Sequence, residues 1–431
     1  MDDTLFYLET YGCSLNKADS DLIVGRLNGL GAEQTNDIEL ADLIVLNTCG
    51  VKEPTEDKII HRLEELGIQS IPVIVAGCLP RISLGRVQHA IPGFAALLGP
   101  QSIDALGMVA ERVLKGERGI VHLESDSDSK LRFFTGPPDS VICTIPICEG
   151  CLGSCAYCAV RFARGNVRSY GIAEIHSVVE RCVHLGYGEI RLTSQDAGVF
   201  GHDTGETLVE LLNDLNKIKG EHRFRLGMFN PNLVLDTIDD LVATMESEHF
   251  FKFFHVPLQT GSNSLLAAMG REYTVSEWTG VVSKIRSKFP RATVATDIIV
   301  GFPGETYLDF EETVNLLQDT RPEVVNISKY GDRPGTAASR AKNKVDTSVK
   351  KERSRQISFM VSAFVTDINA SWVGWSGEVI ATEAGARGGI VCRNFAYKPI
   401  ILHEEVPLGS TVKVEVTSSE RTHLLAQMCR D

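Results

Sequence analysis

A chain of 431 residues is too long for one ordinary hydrophobic core, so two or three domains are expected. An apolar content of 43% excludes a disordered chain, the start MDDTLFYLET lacks the basic end and apolar run of a secretory signal, and no stretch approaches a membrane span, so a cytoplasmic protein without membrane attachment is expected. A net charge of -13 argues against polyanion binding by the whole surface and leaves only a local basic patch for such a partner.

Residues 5–116 alternate short apolar runs with amphipathic stretches: LFYLETYG, DSDLIVGRLNGLG, ADLIVLNTC, EPTEDKIIHRLEELG, IPVIVAGC and AALLGP, closing on SIDALGMVAERVLKG. Strands alternating with helices at this spacing predict a parallel sheet with covering helices. Asp19 or Ser20 and Thr55 supply helix start signals. The stretch ESDSDSKLRFFTGPPDS, with its serines, charges and Gly-Pro-Pro, predicts an exposed linker.

Over residues 141–330 six strand-like runs recur, VICTIPI, EIRLTS, HRFRLGMF, FKFFHVPL, ATVATDIIVG and EVVNISKY, with helical stretches between most of them. Six such units predict a partial parallel (β/α)6 barrel, with its chemistry in loops at the carboxyl ends of the strands. A basic helical stretch containing Arg340, Lys342, Lys344, Lys350, Lys351, Arg353 and Arg355 follows, either a solvated helix face or an RNA contact. The tail GEVIAT, GIVCRNF, KPIILHEE and STVKVEVT consists of short strands and turns, which predicts a small antiparallel β-barrel of an oligonucleotide-binding kind. The expected α/β architecture is thus a sheet domain at 1–120, a linker at 121–138, a barrel at 139–369 and the small β-barrel at 370–431.

Eleven cysteines in a reducing compartment point to thiols or metal ligands rather than disulfides. Cys151, Cys155 and Cys158 form Cys-x3-Cys-x2-Cys just after the first barrel strand, a loop suited to hold three irons of a cubane cluster and leave the fourth open. A zinc site with Cys148 as fourth ligand, or a chance group of buried thiols, are the alternatives. Zinc sites commonly present paired Cys-x2-Cys hairpins, and this loop has one pair.

A Cys-x3-Cys-x-aromatic-Cys loop at the head of a six-unit barrel resembles the radical S-adenosylmethionine (SAM) enzymes. That resemblance implies a [4Fe-4S] cluster on Cys151, Cys155 and Cys158, with Tyr157 as an aromatic platform and SAM bound at the open iron. Gly188 and Glu189 resemble the family's Gly-Gly-Glu segment, and VPLQTGSN with Gln259, followed by Met269, Arg271 and Tyr273, resembles its Pro-x-Gln-Ser-Gly-Ser segment. TDIIVGFPGET matches another family segment and brings Asp297, for which a cofactor role and an internal ion pair are both open. Ser194, Gln195 and Asp196 end the second strand, where polar side chains face the site, and Arg333 lies in the end-of-barrel pattern.

Three more cysteines share one placement. Cys13 follows LFYLETYG, Cys49 follows LIVLNT and Cys78 follows VIVAG, each at the carboxyl end of a predicted parallel strand, where such sheets bind ligands. Singly, each reads as a core thiol; repeated, with Asn16 and the pair Asn47-Thr48 beside them, they read as a second site. The whole arrangement resembles the methylthiotransferases along nearly the full chain. It implies an auxiliary [4Fe-4S] cluster on Cys13, Cys49 and Cys78, an RNA-binding TRAM tail, and SAM as both methyl donor and radical source. It also implies an electron donor and a sulfur source as partners. Within that family, Leu152 and the run Ala163-Arg164-Gly165 resemble the branch acting on threonylcarbamoyladenosine in tRNA. Isopentenyladenosine in tRNA and a ribosomal-protein aspartate are the other known substrates, and a non-enzymatic iron-sulfur regulator is a more remote alternative. Contacts to the tRNA anticodon stem-loop are expected from Arg161, Arg164, Arg168, Gln195, Asp196, Arg333, Arg393 and Lys398. Cys143, Cys148, Cys182, Cys392 and Cys429 match neither triad, and no catalytic residue beyond the cluster ligands is expected.

Overall fold

Continuous apolar runs form strands covered on both faces. The computed structural model, which describes residues 1–51, 53–124 and 129–429, buries every residue of β3 (Leu43–Thr48), β4 (Val73–Gly77) and β5 (Ala96–Leu98). With β1 (Leu5–Thr10), β2 (Glu33–Thr35) and β6 (Ile120–His122) they pair entirely in parallel, in the order β2-β1-β3-β4-β5-β6. The chain leaves β1 toward β2 and returns on the other side as β3, so a crevice opens between β1 and β3 at their carboxyl ends.

The six predicted barrel strands all form. They are β7 (Ile142–Pro146), β10 (Glu189–Thr193), β11 (Arg223–Leu226), β12 (Phe253–His255), β13 (Thr293–Val300) and β14 (Val324–Lys329). Two parallel sheets, β11-β10-β7 and β12-β13-β14, meet through a bridge between Phe224 and Phe250. The short β8 (Cys148–Glu149) and β9 (Arg168–Ser169) pair antiparallel and pinch the base of the cysteine loop. Aromatic and branched side chains such as Phe224, Phe254, Trp278 and Ile285 fill the space between strands and helices.

The tail closes into a barrel of β15 (Ser376–Ala384), β16 (Ile390–Arg393), β17 (Pro399–Leu402), β18 (Thr411–Ser419) and β19 (Leu424–Met428). The run LLAQM of β19 carries too little alternation to stand out in the sequence. It pairs in parallel with β17 and antiparallel with β18, and so removes the open edge. The tail packs on the amino-terminal end of the large barrel: Tyr397 Oη donates to Glu189 Oε1 (2.5 Å), Lys252 N to Phe395 O (2.7 Å) and Thr293 Oγ1 to Ala396 O (2.7 Å).

The linker departs from expectation. Residues 125–128 of the predicted exposed stretch lie outside the described residues, but Lys130, Leu131 and Phe134 are buried, because Leu131 and Phe134 join the main core and Lys130 meets two carboxylates. The basic stretch near residue 350 is also less free than expected: Arg353 is buried on Glu305, Lys344 pairs with Asp332, and Lys350 Nζ donates to Tyr330 O (3.1 Å). Among the described residues no helix is long and apolar enough to cross a membrane.

Candidate iron-sulfur centres

The strand ends deliver the first three thiols to one rim. Gly12 has φ +128°, and a Cβ there would lie 2.8 Å from Cys49 Cβ, so only glycine lets the loop after β1 close on the loop after β3. Gly77 has φ +96°, and a Cβ there would lie 2.5 Å from Thr48 O, so the loop after β4 is held to β3 in the same way. A buried polar net completes the stitching. Asn16 Nδ2 donates to Thr48 O (2.9 Å), Asn47 Nδ2 to Asn16 O (2.7 Å), Thr48 Oγ1 to Ala76 O (2.6 Å), and Cys13 Sγ to Asn16 Oδ1 (3.4 Å). The thiols feel one another: Cys78 is pushed up to about 11, chiefly by burial, with Cys13 and Cys49 adding to the rise and Arg164 opposing it. Cys13 is exposed while Cys49 and Cys78 are buried, so the rim is open on one side.

The second triad sits on the loop between β8 and the helix Val160–Arg164. A Cβ placed on Gly153 would touch Cys151 Sγ at 3.4 Å and Cys155 Sγ at 3.5 Å, so a residue without a side chain leaves an open cradle between two sulfurs. Backbone N–H groups aim at sulfur, Gly153 N at Cys151 Sγ (3.3 Å) and Val160 N at Cys158 Sγ (3.4 Å), an arrangement that favours thiolates. Burial nevertheless pushes Cys158 up to about 11, so ligation there must displace a proton. The donor chemistry of both triads, three thiols each on an open loop, fits a three-cysteine [4Fe-4S] site. Cys148 does not join them: its buried thiol points to Asp196 O at 3.6 Å, which withdraws the fourth ligand that a zinc site on this loop needs.

A chain of polar contacts positions the loop. Arg271 Nη2 donates to Tyr157 Oη (2.6 Å) and Arg271 Nη1 to Asn230 Oδ1 (2.7 Å), while Asn230 Nδ2 donates to Asp196 Oδ2 (2.6 Å). Gly150 N donates to Gln195 Oε1 (2.9 Å). Asp196 is wholly buried, and its carboxylate also accepts from Gly198 N and Asn230 N, so it supports the loop and offers no surface to RNA. Burial pushes Asp196 above the usual carboxylate range against the pull of those donors. Ser194 abuts the Cys148 thiol.

Gln259 has φ +75°, a left-handed backbone in a residue other than glycine, held by Gln259 N to Asp297 O (2.7 Å) and Ile299 N to Gln259 O (2.9 Å). Such strain persists where the surroundings overdetermine it, typically at ligand clamps. Asp297 accepts from His255 Nε2 (2.8 Å) and Asn326 Nδ2 (3.0 Å), so it belongs to a polar trio spanning β12, β13 and β14. Neither His255 nor Asn326 stands out in the sequence. Each is one polar residue in an apolar run, and only the register of three strands brings them together.

Several expected contacts are corrected. Gly188 and Glu189 lie at the start of β10, the barrel end opposite the cysteine loop, and Glu189 pairs with Arg191 and Tyr397 there; a short Gly-x-Gly-Glu match does not fix which end of a strand it occupies. Lys398 is buried with Nζ on Asn369 Oδ1 (3.1 Å), and Arg393 stacks on Tyr397 and reaches Glu383 at 3.5 Å, so this part of the tail faces the barrel. Arg164 is wholly buried. With Lys130 it forms a closed ring of charges: Arg164 to Asp19 (2.5 Å) and Glu149 (2.9 Å), and Lys130 to the same two carboxylates (2.5 and 2.7 Å). Burial pushes Glu149 up, but Lys130 and Arg164 together outweigh it and hold the carboxyl below its usual range. Arg333 is likewise buried, on Glu56 (2.5 Å) and Gly50 O (3.4 Å). Both arginines bind the sheet domain to the mouth of the barrel. Arg161 remains exposed with Nη2 on Asn166 (3.2 Å), and Arg168 is half-buried.

The comparisons with known proteins agree with this architecture. The model of the radical SAM superfamily matches residues 145–317, and that of the uncharacterized protein family UPF0004 matches residues 5–99. A protein of Pyrococcus abyssi named "Probable threonylcarbamoyladenosine tRNA methylthiotransferase" is 38% identical over 98% of this chain and 99% of its own length. The chain belongs to the threonylcarbamoyladenosine tRNA methylthiotransferase family. A member from Methanothermobacter thermautotrophicus is 38% identical over 99% of this chain and 100% of its own, and the Homo sapiens member is 32% identical over 99% of this chain and 74% of its own. Among solved structures, the radical SAM methyltransferase TsrM of Kitasatospora setae with cobalamin and a [4Fe-4S] cluster aligns at TM-score 0.58 and 12% identity, over 79% of this chain and 74% of that one, which shows the shared fold.

Proposed function

We propose that this chain is a tRNA methylthiotransferase acting on C2 of N6-threonylcarbamoyladenosine at position 37, beside the anticodon, to give the 2-methylthio derivative. The observation that carries the proposal is the facing of two cysteine triads, one at the carboxyl rim of the sheet and one at the carboxyl mouth of the barrel, across a junction tied by the Arg164 and Arg333 ion pairs. Cys13, Cys49 and Cys78 hold the auxiliary [4Fe-4S] cluster, and Cys151, Cys155 and Cys158 the radical SAM cluster. When bound, the clusters and SAM supply the sulfur, methyl and radical equivalents that an inert purine C–H bond requires.

The protein's own part is positional. Residues 1–120 and 139–369, joined through 121–138, set the distance between the two triads, and any substrate atom that reacts at both must lie between them. Tyr157, fixed by Arg271, presents its ring beside the cysteine loop. Gln259, Ser194 and Asp297 line the mouth as SAM contacts, with His255 and Asn326 orienting the Asp297 carboxylate. Arg161 and Arg168, with Gln195, are the remaining candidates for the anticodon stem-loop, and the barrel at 370–431 adds an RNA-binding module. The reaction draws on an electron donor and a sulfur source, and the place of action is the cytoplasm.

Anaerobic reconstitution tests the metal content: about eight irons per chain are expected, falling to about four in the Cys151→Ala, Cys155→Ala, Cys158→Ala variant. Mass spectrometry of nucleosides after reaction with stem-loops carrying either threonylcarbamoyladenosine or isopentenyladenosine tests the substrate. Methylthiolation of the second and not the first defeats the assignment.

A further inference from the structure

Far from the cysteine loops, a cleft of about 460 Å³ lies between β14, the helix Thr347–Ala370 and the closed tail barrel. Among the described residues four cations line it, Arg225, Arg393, Lys398 and Arg421, against one carboxylate, Glu323, in a chain whose net charge is -13. Glu323 is already engaged, by Arg286 (3.2 Å) and by Val294 N (2.7 Å). Arg225 is flanked by the rings of Phe253 (4.5 Å) and Tyr397 (5.1 Å), and its Nε is buried with no hydrogen-bond partner among the described residues. Arg393 also lies over the Tyr397 ring (4.6 Å) and reaches Glu383 at 3.5 Å, while its Nε is likewise buried with no hydrogen-bond partner among the described residues. A buried N–H without an acceptor is rare in native proteins and marks a position where a water, an ion or a ligand supplies one. The remaining walls, Val324, Val325, Ile327, Val361 and Val365, are apolar.

We propose that this cleft binds a phosphoryl-bearing ligand the size of one nucleotide, with the Arg225 guanidinium gripping the phosphoryl oxygens and the valine wall covering the base or sugar. A planar fork of N–H donors suits a phosphoryl group, and the volume falls in the range of small-molecule sites. Two sources share this chemistry, a free mononucleotide and a nucleotide of a bound RNA strand. None of these residues belongs to the cysteine sites, so the proposal does not depend on the cluster assignment.

Isothermal titration of the full chain with adenosine 5′-monophosphate, and with adenosine as control, tests it. The nucleotide is expected to bind at least tenfold more tightly than the nucleoside, and Arg225→Gln to weaken it at least tenfold with the thermal transition unchanged. Equal affinity of wild type and Arg225→Gln, or of nucleotide and nucleoside, overturns the proposal. If Arg225→Gln impairs folding, Arg421→Glu at the exposed rim decides instead: a tenfold loss supports the site, and unchanged affinity overturns it. Competitive displacement of the nucleotide by an anticodon stem-loop transcript identifies an RNA nucleotide as occupant. Arg225-dependent binding that the transcript does not displace identifies a free nucleotide. Either outcome supports the site.

Discussion

Arg164 shows how one residue ties two sites together. Its guanidinium sits in a neutral ring of two cations and two carboxylates drawn from the first helix, the linker and the cysteine loop, next to Cys78. Removing one corner leaves an uncompensated buried charge, so Arg164→Met is expected to destabilise the protein by about 3–5 kcal/mol, measured by urea unfolding of the metal-free chain. Arg164→Lys keeps the charge but loses the two-pronged grip and is expected to fall between that variant and wild type. Gly12 is a sharper probe of the auxiliary site. A methyl group there meets Cys49 Cβ at 2.8 Å on a backbone that side chains avoid. Gly12→Ala is therefore expected to lose about half the iron per chain, with the radical SAM cluster retained, as read by iron analysis and electron paramagnetic resonance. Unchanged iron would detach Cys13 from the cluster. The signal for these positions differed in kind. The cysteines follow apolar runs that end in glycine or a hydroxyl residue and are visible in the chain, whereas the burial of Arg164 depends on Asp19, 145 residues away.

At the scale of elements, the segment carrying Gln259 is held by a neighbouring helix start. Asp309, in the first turn of the helix Tyr307–Thr320, accepts from Thr306 N (2.9 Å), Thr306 Oγ1 (2.6 Å), Ser262 Oγ (2.6 Å) and Ser264 Oγ (3.0 Å). Burial pushes this carboxyl up, but those donors outweigh it and hold it at about 2, below its ordinary 3.8. A depressed carboxyl contributes stability that is fully present above pH 4 and is lost as the pH falls through about 2. Asp309→Asn is thus expected to cost about 1–2 kcal/mol at pH 7, with the gap to wild type closing near pH 2, measured by thermal unfolding across that range. A gap independent of pH would mean that the carboxylate charge contributes nothing. The capping box from Thr306 to Asp309 is a local pattern three residues long, whereas the bond by which the same acid fastens the Ser262 loop spans 47 residues and leaves no local trace.

For the whole molecule, the decisive feature is that the sheet domain and the barrel present their carboxyl ends to each other. Arg333 holds this junction through Glu56, which Arg86 also engages (2.6 Å). Arg333→Met is expected to leave the iron content unchanged while lowering methylthiolated product by about tenfold to a hundredfold relative to 5′-deoxyadenosine formed, because small displacements between reacting groups carry penalties of that order. The two products quantified from one reaction give the ratio, and a ratio equal to wild type would show that docking does not limit transfer.

The alternation of apolar and amphipathic segments determined the parallel sheet, the six barrel strands and both cysteine triads, since period and spacing are local properties of a chain. The sequence also showed a β-rich tail, but not its fifth strand, whose pairing with β17 and β18 supplies what its own pattern lacks. Tertiary structure alone decided which cationic side chains reach solvent. Arg164, Arg333 and Lys398 resemble RNA contacts in one dimension and are buried in three, because a long charged side chain goes inside only where distant partners meet it, and no local pattern records where those partners lie.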